Sequence, residues 1–445
     1  MHYATEYKQK LRSPEQAAAV VQSGNWVDYG LGLGQPMVLD AALAKRKAEL
    51  TDIKIRSAVT SAPRQVINAD PAGDVFTYCS WHFTGYERKL FDGGRCYFTP
   101  LTYRNKPRYY RNGLQVDIAM ISVAPMDKHG YFNFSLTNSA TRAIVETAKT
   151  VIVEVNENLP TALGGNEEGI HISEVDFIVE GSNHKLPELP AAAPDEVDKR
   201  IAQLIVGEVV DGATLQLGIG GMPNAVGNLL ADTDVKNLGM HTEMLVDAYL
   251  TLYERGKLNN KFKGTDKGKG AWTFCLGTKK LYDWVDQNPF LASYPVDYTN
   301  DPAVIAQNDN FISVNNCLEV DLYGQVAAES SGIRQISGSG GQLDFVTGAF
   351  SSRGGKSFIC FKSTYTDKNN QLCSRVLPTL PQGGIVTDPR SQVHYLVTEW
   401  GKVLLAGCST WERTERIISI AHPNFRDDLI KQAEEMKIWR RSNKK

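Results

Sequence analysis

The 445-residue sequence lacks the features that identify several large classes of protein. Its seven cysteines lie far apart and form no C-x-x-C pair, which argues against a disulfide framework and against a zinc ribbon. No apolar run approaches the roughly 18 residues of a membrane-spanning helix, and the amino terminus has no apolar core of the signal-peptide kind. These absences predict a cytoplasmic protein with reduced thiols and no membrane partner.

The sequence also has little net charge, because its positive and negative residues nearly balance and the formal net charge is −2. No basic stripe is interleaved with aromatic residues, so nucleic acid is not an expected partner. The eight histidines show no metal-ligand spacing, and no metal site is predicted. The remaining expectation is a globular protein of two or more domains that binds small molecules, and the frequency of symmetric assemblies favours a homo-oligomer.

Three glycine-rich tracts lack the residues that nucleotide binding needs. In the dinucleotide fingerprint G-x-G-x-x-G or A, the last position is Pro223, Gln35 or Leu343 in these tracts. A phosphate-binding loop that ends at Lys356 would need glycine where Phe350 stands. No G-x-S-x-G elbow and no H-E-x-x-H motif is present either. The glycines must therefore be explained by another kind of turn.

One of these tracts has the pattern of a strand, a glycine turn and a helix. Residues 215–217 read as the end of a buried strand, Gly218, Gly220 and Gly221 follow, and residues 222–230 have helical spacing. Such a turn presents N–H groups at a helix N-terminus, where an oxyanion can be stabilised. Gly220 and Gly221 are therefore candidate oxyanion donors, although a glycine turn can also be a simple tight connection.

A carboxylate follows the next short apolar segment, which ends at Met240. His241-Thr242-Glu243 comes where that strand should end, and ligands gather at the carboxyl ends of strands in open α/β sheets. Glu243 is therefore a candidate catalytic nucleophile. The alternative is that Glu243 lies in the first turn of a helix over residues 242–254 and only stabilises the helix dipole.

The two halves of the chain repeat one another. The spacing of Gly24, Gly30 and Gly32 recurs 188 residues later in the tract that ends at Gly220. The Ile-Ser-Val tract at residues 121–123 matches the one at residues 312–314. The sequence therefore predicts an α/β fold of two similar domains that arose by internal duplication.

A linker rich in proline and alanine covers residues 181–194 and separates the halves. We predict an N-terminal α/β domain over residues 1–185 and a C-terminal α/β domain over residues 195–445 that carries Glu243. Helices are expected over residues 13–22, 38–50 and 195–210. The first half has no acid after its second strand, IKIRSAVTS, so the catalytic chemistry is assigned to the second half.

Three tracts in order, GIGGMPNAV, LGMHTEM and SGSGGQLDFVTGA, resemble those of the class I coenzyme A transferases. The nearest branch contains butyryl-CoA:acetate and 4-hydroxybutyrate CoA-transferases and acetyl-CoA hydrolases, and the likeness covers nearly the whole chain. It implies two CoA-transferase-type domains, a nucleophilic Glu243 and no permanently bound cofactor, with coenzyme A or acyl-CoA as substrate. The residues it implies for coenzyme A contact are Gly218, Ile219, Gly220, Gly221, Met222, Leu318, Gly338, Gly340, Gly341 and Gln342. Lys356 is a further candidate, for a CoA phosphate, with a surface lysine that opens a strand as the alternative.

The resemblance implies transfer of CoA from butyryl-CoA to acetate by ping-pong exchange through a glutamyl-CoA thioester. A 4-hydroxybutyrate or propionate transferase, an acyl-CoA hydrolase and a non-catalytic CoA-binding module remain as alternatives. The aromatic and basic run at residues 103–111, with His82 and Asn138, could approach the substrate from the first half, and packing is the competing interpretation. None of these is assigned to the site.

Overall fold

A computed structural model of the chain describes residues 3–190, 193–218 and 220–440. The chain divides into two compact units. The first comprises Met1–Pro190, Glu243–Leu245 and Lys269–Thr299, and the second comprises Ala191–Thr242, Val246–Gly268 and Asn300–Lys445. The main boundary therefore lies in the predicted linker.

The predicted C-terminal domain is not contained in one unit, and the segment with Glu243 belongs to the first. Backbone pairing is the reason. Strand Met244–Leu245 pairs with strand Phe274–Cys275, and Cys275 donates its N–H to the Leu136 carbonyl of the first unit. The Glu243 segment is thus connected through β14 to the first half of the sequence.

The elements before the linker are seven helices and nine strands among the described residues. The helices are α1 Ala4–Lys10, α2 Pro14–Ala18, α3 Val38–Ala44, α4 Gln65–Ala69, α5 Gly85–Asp92, α6 Lys106–Arg111 and α7 Thr141–Thr147. The strands are β1 Trp26–Asp28, β2 Ile53–Ser57, β3 Phe76–Ser80, β4 Tyr97–Phe98, β5 Ile118–Val123, β6 Tyr131–Asn133, β7 Thr150–Val155, β8 Gly169–His171 and β9 Phe177–Glu180. Short 3₁₀ turns cover Gly32–Gly34, Tyr103–Asn105 and Ile172–Glu174.

The elements after the linker are given in chain order. The helices are α8 Glu196–Val206, α9 Gly221–Ala231, α10 Asp247–Glu254, α11 Lys279–Val285, α12 Val296–Thr299, α13 Pro302–Ile305, α14 Gln342–Ser351, α15 Thr410–Ser419 and α16 Pro423–Glu435. The strands are β10 Thr214–Leu217, β11 Gly239–Met240, β12 Met244–Leu245, β13 Gly270–Trp272, β14 Phe274–Cys275, β15 Leu291–Ser293, β16 Phe311–Asn316, β17 Glu319–Asp321, β18 Val326–Ala327, β19 Ser330–Ser331, β20 Arg334–Gln335, β21 Lys356–Cys360, β22 Thr364–Thr366, β23 Leu372–Ser374, β24 Val376–Leu377, β25 Tyr395–Thr398 and β26 Gly401–Leu404.

The first unit is organised around a parallel sheet with the strand order β4-β3-β2-β1-β5-β7-β9. Every residue of β5 is buried, as expected for a strand that is covered on both faces. Side chains of α3 and α4, including Leu39, Leu43 and Val66, pack against strand residues such as Val27 and Ile55. This is an open α/β sheet in which connections return over the faces.

The second unit repeats the arrangement, with the order β11-β10-β16-β21-β25-β26. All its pairs are parallel except β25 with β26, which is antiparallel. The order β11-β10-β16-β21-β25 matches β2-β1-β5-β7-β9 of the first unit strand by strand. The predicted α/β fold and its internal duplication are therefore confirmed.

The strand register corrects one detail of the repeat. Val27 pairs with Ile118, and Leu215 pairs with Ile312. Because Val27 and Leu215 are related by the 188-residue repeat, Ile118 is the counterpart of Ile312. The sequence match of Ile121 with Ile312 is therefore wrong by three residues. A buried apolar run carries little information on its own register, which backbone pairing sets.

Three of the predicted helices are shorter than expected, and their starts are accurate. Ser13 forms the predicted N-cap, in a capping box with Gln16, and Pro14 is the first helical residue of α2. Asp195 caps α8 in the same way. The ends extend less far, to Ala18, Ala44 and Val206, since apolar periodicity continues into turns that only tertiary packing distinguishes.

Candidate active site

The turn after β10 is built on glycines because its backbone leaves little room for side chains. Gly218 donates its N–H to the Val314 carbonyl over 2.9 Å, and a Cβ on Gly218 would lie 3.1 Å from that same oxygen. Gly220 has φ 119° and ψ 179°, a conformation that L side chains rarely adopt. Helix α9 begins at the next residue. The predicted strand, glycine turn and helix are confirmed.

The first turn of α9 presents backbone donors. No described side chain accepts a hydrogen bond from the N–H groups of Gly221 or Met222. Asn224 binds back to the Gly220 carbonyl through its backbone N (3.3 Å) and its Nδ2 (2.9 Å), which fixes the turn. Met222 is buried. Ile219, which was predicted to contact coenzyme A, lies outside the described residues.

Strands β10 and β16 lie where the strand order of the second sheet reverses, and ligands bind outside the carboxyl ends of strands at such a point. The buried side chains of Gln216 and Asn315 exchange amide hydrogen bonds across these strands, at 3.2 and 3.0 Å. Beyond β16, Leu318 donates its N–H to the Ala327 carbonyl over 2.9 Å. Leu318 therefore lies at the same sheet edge as the glycine turn.

The glycine loop before α14 is joined to this edge by hydrogen bonds. Gln342 Nε2 donates to Asp388 Oδ2 over 2.6 Å. Asp388 in turn pairs through its backbone with Val326, next to the residue that binds Leu318. Gly340 has φ 51°, in the left-handed region that favours glycine. The second unit thus brings together the predicted residues Gly218, Gly220, Gly221, Met222, Leu318, Gly338, Gly340, Gly341 and Gln342.

Asp388 is a buried acid that sequence analysis missed. Burial raises the pKa of Asp388 to about 7, the hydrogen bond from Gln342 lowers it, and the charge of Glu329 raises it again. Glu329 is itself buried and accepts a hydrogen bond from Thr387 Oγ1 over 3.3 Å. No local motif marks this pair because the two acids are far apart in sequence. Asp388 is thus an acid of raised pKa that is hydrogen-bonded to Gln342, the first residue of α14.

Lys356 is not at this edge. It opens β21, where it pairs with Ile312 near the amino end of the parallel ladder, whereas the glycine turn follows the carboxyl end of β10. Its ammonium forms an ion pair with Glu208 at 2.5 Å, and Lys402 binds the other oxygen of the same carboxylate. The amino end of a parallel strand faces away from the edge where ligands bind, so this position favours the alternative, a lysine that opens a strand. Contact of Lys356 with a CoA phosphate stays a prediction.

Glu243 follows β11 by three residues and does not belong to a helix. Helix α10 begins only at Asp247, so the helix-dipole explanation of Glu243 is wrong. The residue before it, Thr242, is hydrogen-bonded through its side chain to Tyr249, whose hydroxyl also accepts the Leu217 N–H over 2.9 Å. One tyrosine thus binds the residues that directly precede Glu243 and Gly218.

The half-buried Glu243 has an aromatic and hydroxylic surrounding in the first unit. Its carbonyl accepts hydrogen bonds from the N–H groups of Thr273 (3.1 Å) and Phe274 (3.2 Å). Burial, and secondarily the negative charge of Glu243, raise the pKa of Tyr103 far above its ordinary value. The Tyr103 hydroxyl lies 2.6 Å from Ser139 Oγ, so these two hydroxyls share a hydrogen bond.

Tyr103 and Ser139 were not assigned to the site from sequence. Tyr103 belongs to the aromatic and basic run for which packing was the competing interpretation, and nothing in the sequence around Ser139 marks it. Ser139 has φ 45°, which is uncommon for a residue with a side chain. A left-handed serine is invisible in a sequence, although such strain concentrates at functional sites.

Other kinds of site find no support in the described parts of the chain. No group of three His, Cys, Asp or Glu side chains there could hold a metal ion, and no described helix is long and apolar enough to cross a membrane. Two cavities of the first unit, of about 480 and 580 Å³, are lined by none of the predicted site residues. The candidate residues are those at the carboxyl edge of the second sheet and Glu243, which follows β11 of that sheet.

Comparison with known proteins agrees with this geometry. The acetyl-CoA hydrolase/transferase N-terminal domain matches residues 1–190, and the corresponding C-terminal domain matches residues 277–433. The chain is 53% identical to the butyryl-CoA:acetate CoA-transferase of Anaerostipes caccae over 100% of both chains. It is 40% identical to the 4-hydroxybutyrate coenzyme A transferase of Clostridium kluyveri, over 97% of this chain and 99% of that one. The crystal structure of RipA from Yersinia pestis superposes with a TM-score of 0.90 at 36% identity, covering 98% of this chain and 100% of that one. The chain belongs to the acetyl-CoA hydrolase/transferase family.

Proposed function

We propose that this chain is a CoA-transferase that moves CoA from butyryl-CoA to acetate by ping-pong exchange through Glu243. The observation that carries the proposal is the shared tyrosine: Tyr249 binds Thr242, directly before the carboxylate, and Leu217, directly before the glycine turn. The proposed nucleophile and the glycine turn with the proposed oxyanion donors therefore each follow a residue that is hydrogen-bonded to the same tyrosine. The full-length similarity to a butyryl-CoA:acetate CoA-transferase supports the choice of substrates.

In the first half-reaction, a carboxylate oxygen of Glu243 attacks the thioester carbonyl, the carbon–sulfur bond breaks, and CoA leaves as a thiolate. The thiolate then attacks the Glu243 carbonyl of the mixed anhydride and releases butyrate. This leaves a glutamyl-CoA thioester. Acetate repeats both steps in reverse, so no net proton or electron is exchanged. Covalent catalysis divides one difficult exchange into easier steps and conserves the thioester.

Each attack creates an oxyanion, for which we assign the N–H groups of Gly220 and Gly221 as donors. They lie at the start of α9, where backbone N–H groups and the helix dipole favour negative charge. The assigned coenzyme A contacts are Gly218, Ile219, Gly220, Gly221, Met222, Leu318, Gly338, Gly340, Gly341 and Gln342. Coenzyme A is a substrate in this scheme, and no resident cofactor takes part.

Hydrolysis of acyl-CoA is the second candidate, because the family name includes hydrolases and water could intercept the same anhydride. The buried Met222 in the first turn of α9 favours transfer, since apolar packing there would hinder water. The 40% identity to a 4-hydroxybutyrate transferase makes 4-hydroxybutyrate, with propionate, the main competitor as acyl group. A hydroxyl or a methylene changes pocket affinity by only about 1–3 kcal/mol.

The setting follows from the same scheme. The described cysteines are all free, which suits a reducing compartment, and we propose a cytoplasmic enzyme of fermentative short-chain acid metabolism. A homo-oligomer is proposed from the general frequency of symmetric assemblies.

Intact-mass measurement after incubation with butyryl-CoA alone tests the proposal. A CoA adduct should appear on the peptide that holds Glu243, and acetate should discharge it as acetyl-CoA. The matched control is Glu243→Ala, which should form no adduct. Release of free CoA at the same rate without acetate would establish hydrolysis instead. Absence of both adduct and turnover with short acyl-CoA substrates would refute catalysis and leave a CoA-binding module.

A further inference from the structure

A lysine in the first unit is buried without a partner of opposite charge. Lys106 opens α6 and is 1% exposed. Among the described residues it makes no hydrogen bond or ion pair, and it is not one of those with an unstated contact. Its Nζ instead lies 5.7 Å from the ring centroid of Trp81 and 6.0 Å from that of Tyr103. A buried ammonium held only by aromatic faces lacks full compensation for its lost hydration.

The nearest carboxylate is already engaged. Asp28 accepts hydrogen bonds from the Gly30 N–H (2.9 Å), the Tyr110 hydroxyl (2.6 Å) and Arg56 Nη1 (3.4 Å). Arg56 is itself buried and forms the ion pair with Asp28, so this carboxylate is not a direct partner of Lys106. Burial lowers the pKa of Lys106 to about 8, while the charge of Asp28 raises it and that of Arg56 lowers it. The cluster therefore carries an excess positive charge at neutral pH.

The aromatic ring beside this lysine connects it with the proposed nucleophile. Tyr103 faces the Lys106 ammonium with its ring, and its hydroxyl lies 2.6 Å from Ser139 Oγ. Its edge contacts Phe274, with ring centroids 6.4 Å apart, and the Phe274 N–H binds the Glu243 carbonyl. Tyr103 thus contacts the Lys106 ammonium with its ring face and Phe274, a hydrogen-bond donor to Glu243, with its edge.

Ser139 is held there against its own backbone preference. Its φ of 45° costs about 1–2 kcal/mol for an ordinary L residue. The position is fixed because Ser139 donates its N–H to the Thr273 carbonyl (3.0 Å) and accepts a hydrogen bond from the Val296 N–H (2.8 Å). Strain that the surroundings enforce in this way is typical of functional positions.

We propose that the Tyr103 and Ser139 hydroxyls, with the Lys106 ammonium behind them, form the subsite for the carboxylate of the free acid. The inference rests on the proposed transferase function and names where its second substrate binds. Acetate, or butyrate in the reverse direction, would accept hydrogen bonds from the two hydroxyls. Lys106 is a positioning residue that offsets the repulsion between the incoming carboxylate and other negative charge. An acyl-CoA has no carboxylate, so its own binding does not need this charge.

Steady-state kinetics of Lys106→Met separate the two substrates. The KM for acetate should rise by about 10- to 100-fold, as expected for loss of an interaction with a charged group, while the KM for butyryl-CoA and the CoA adduct on Glu243 stay unchanged. Tyr103→Phe should show the same split to a smaller extent. Lys263→Met is the matched control, because Lys263 is also fully buried but lies in the second unit. It should leave the KM for acetate unchanged.

The pH dependence of the wild-type enzyme gives a measurement that needs no variant. Lys106 binds an anion only when protonated, so kcat/KM for acetate should fall as pH rises through about 8, the pKa of Lys106. The charged and titratable groups that face it are Asp28, Arg56, Tyr103 and Tyr110. The pKa values of Arg56, Tyr103 and Tyr110 are all raised above their ordinary values, so these three groups keep their protons near pH 8. The value of kcat/KM for butyryl-CoA should stay flat over this range.

An unchanged KM for acetate in Lys106→Met, or an equal rise for both substrates, would overturn the subsite. A flat pH profile for acetate in the wild type would do so even if the variant failed to fold. These results remain distinct from failure of the proposed function, because the CoA adduct on Glu243 is measured without any acid. An adduct with normal yield and an acetate KM that ignores Lys106 refutes only the subsite.

Discussion

The two units carry the same glycine turn but treat the helix that follows it differently. In the first unit, the N–H groups of Met37, Val38 and Leu39 at the start of α3 all bind the carboxylate of Glu154, at 3.0–3.2 Å. In the second unit, no described side chain binds the first N–H groups of α9. A side-chain carboxylate therefore binds the start of α3, whereas no described side chain does so at the start of α9.

The strand register shows how this difference arose. Through successive strand pairs, Glu154 on β7 corresponds to Cys360 on β21, and Ala58 after β2 corresponds to Glu243 after β11. Each repeat of the sequence therefore carries a carboxylate, but after a different strand. Glu154 binds the start of helix α3 of its own repeat, whereas the backbone of Glu243 is bound by Thr273 and Phe274.

Proline placement explains why the helices also start differently. Pro36 keeps Gln35 extended, with φ −78° and ψ 140°, so the first unit passes through the 3₁₀ turn Gly32–Gly34 before α3 begins at Val38. In the second unit Pro223 lies inside the first turn of α9, where proline is tolerated, and the helix begins directly after Gly220. The same duplicated turn thus became a structural element in one unit and a candidate anion site in the other.

Removal of the Glu243 carboxylate, the proposed nucleophile, should give the largest effect. Glu243→Ala is expected to reduce the rate of CoA transfer by more than about 10⁴-fold, since loss of a nucleophile leaves only binding and oxyanion stabilisation. The measurement is acetyl-CoA formation from butyryl-CoA and acetate, with CoA binding followed separately. Ala58→Ser changes the corresponding position of the first unit and should retain transfer. A Glu243→Ala enzyme with more than a hundredth of the wild-type rate would contradict the assignment.

The two glycine turns can be compared directly by adding a methyl group to each. A Cβ on Gly220 would lie 3.3 Å from Asn316 Nδ2 at a φ of 119°, and displacement of this turn should lower kcat/KM for butyryl-CoA by about 10²-fold. A Cβ on Gly32, the counterpart, would meet only atoms at 3.9 Å. Gly32→Ala should therefore cost about 1–2 kcal/mol of stability from its left-handed backbone and leave kcat/KM within about twofold. Equal kinetic losses in both variants would remove the functional distinction between the turns.

The carboxylate that fills the first turn should matter for stability alone. Glu154→Gln leaves one neutral acceptor for three N–H donors and should lower the free energy of unfolding by about 1–3 kcal/mol, measured by urea denaturation. Burial raises the pKa of Glu154 above its ordinary value. The wild type therefore loses stability as pH rises through that pKa, and the gap to the variant should be larger at about pH 5 than at about pH 8. If the folded Glu154→Gln variant had a reduced turnover, the glycine turn of the first unit would also serve catalysis.

Local sequence signals were sufficient for much of this fold. The strand, glycine turn and helix at residues 214–231 follow from apolar runs, from glycine conformation and from the spacing of a helix face, all of which act over a few residues. The helix start at Ser13 followed from its capping box. The duplication was visible because both copies need glycine at positions where the backbone demands it, such as Gly32 and Gly220.

Contacts between segments that are distant in sequence could not be predicted from these local patterns. Ser139 and Glu243 are connected because residues 269–299 belong to the first unit, where Thr273 accepts the Ser139 N–H and donates its own N–H to the Glu243 carbonyl. The helix expected over residues 242–254 failed because β12 pairs with β14 and delays α10 until Asp247. Asp388 could not be identified either, since its raised pKa depends on burial and on a distant neighbour, Glu329.

The smallest effect is expected where sequence and structure disagree most plainly. The family resemblance makes Lys356 a candidate for a CoA phosphate, yet it shares Glu208 with Lys402 at the amino end of β21. Lys356→Gln should therefore leave the KM for butyryl-CoA unchanged and reduce stability by at most about 1 kcal/mol, because the pair is partly exposed and Lys402 remains on the carboxylate. Glu208→Gln removes the shared acceptor and should destabilise the protein more than Lys356→Gln does. A rise in KM with Lys356→Gln but not with Glu208→Gln would restore the lysine to the coenzyme A site, and would mean that the duplicated sheet binds its ligand at both edges.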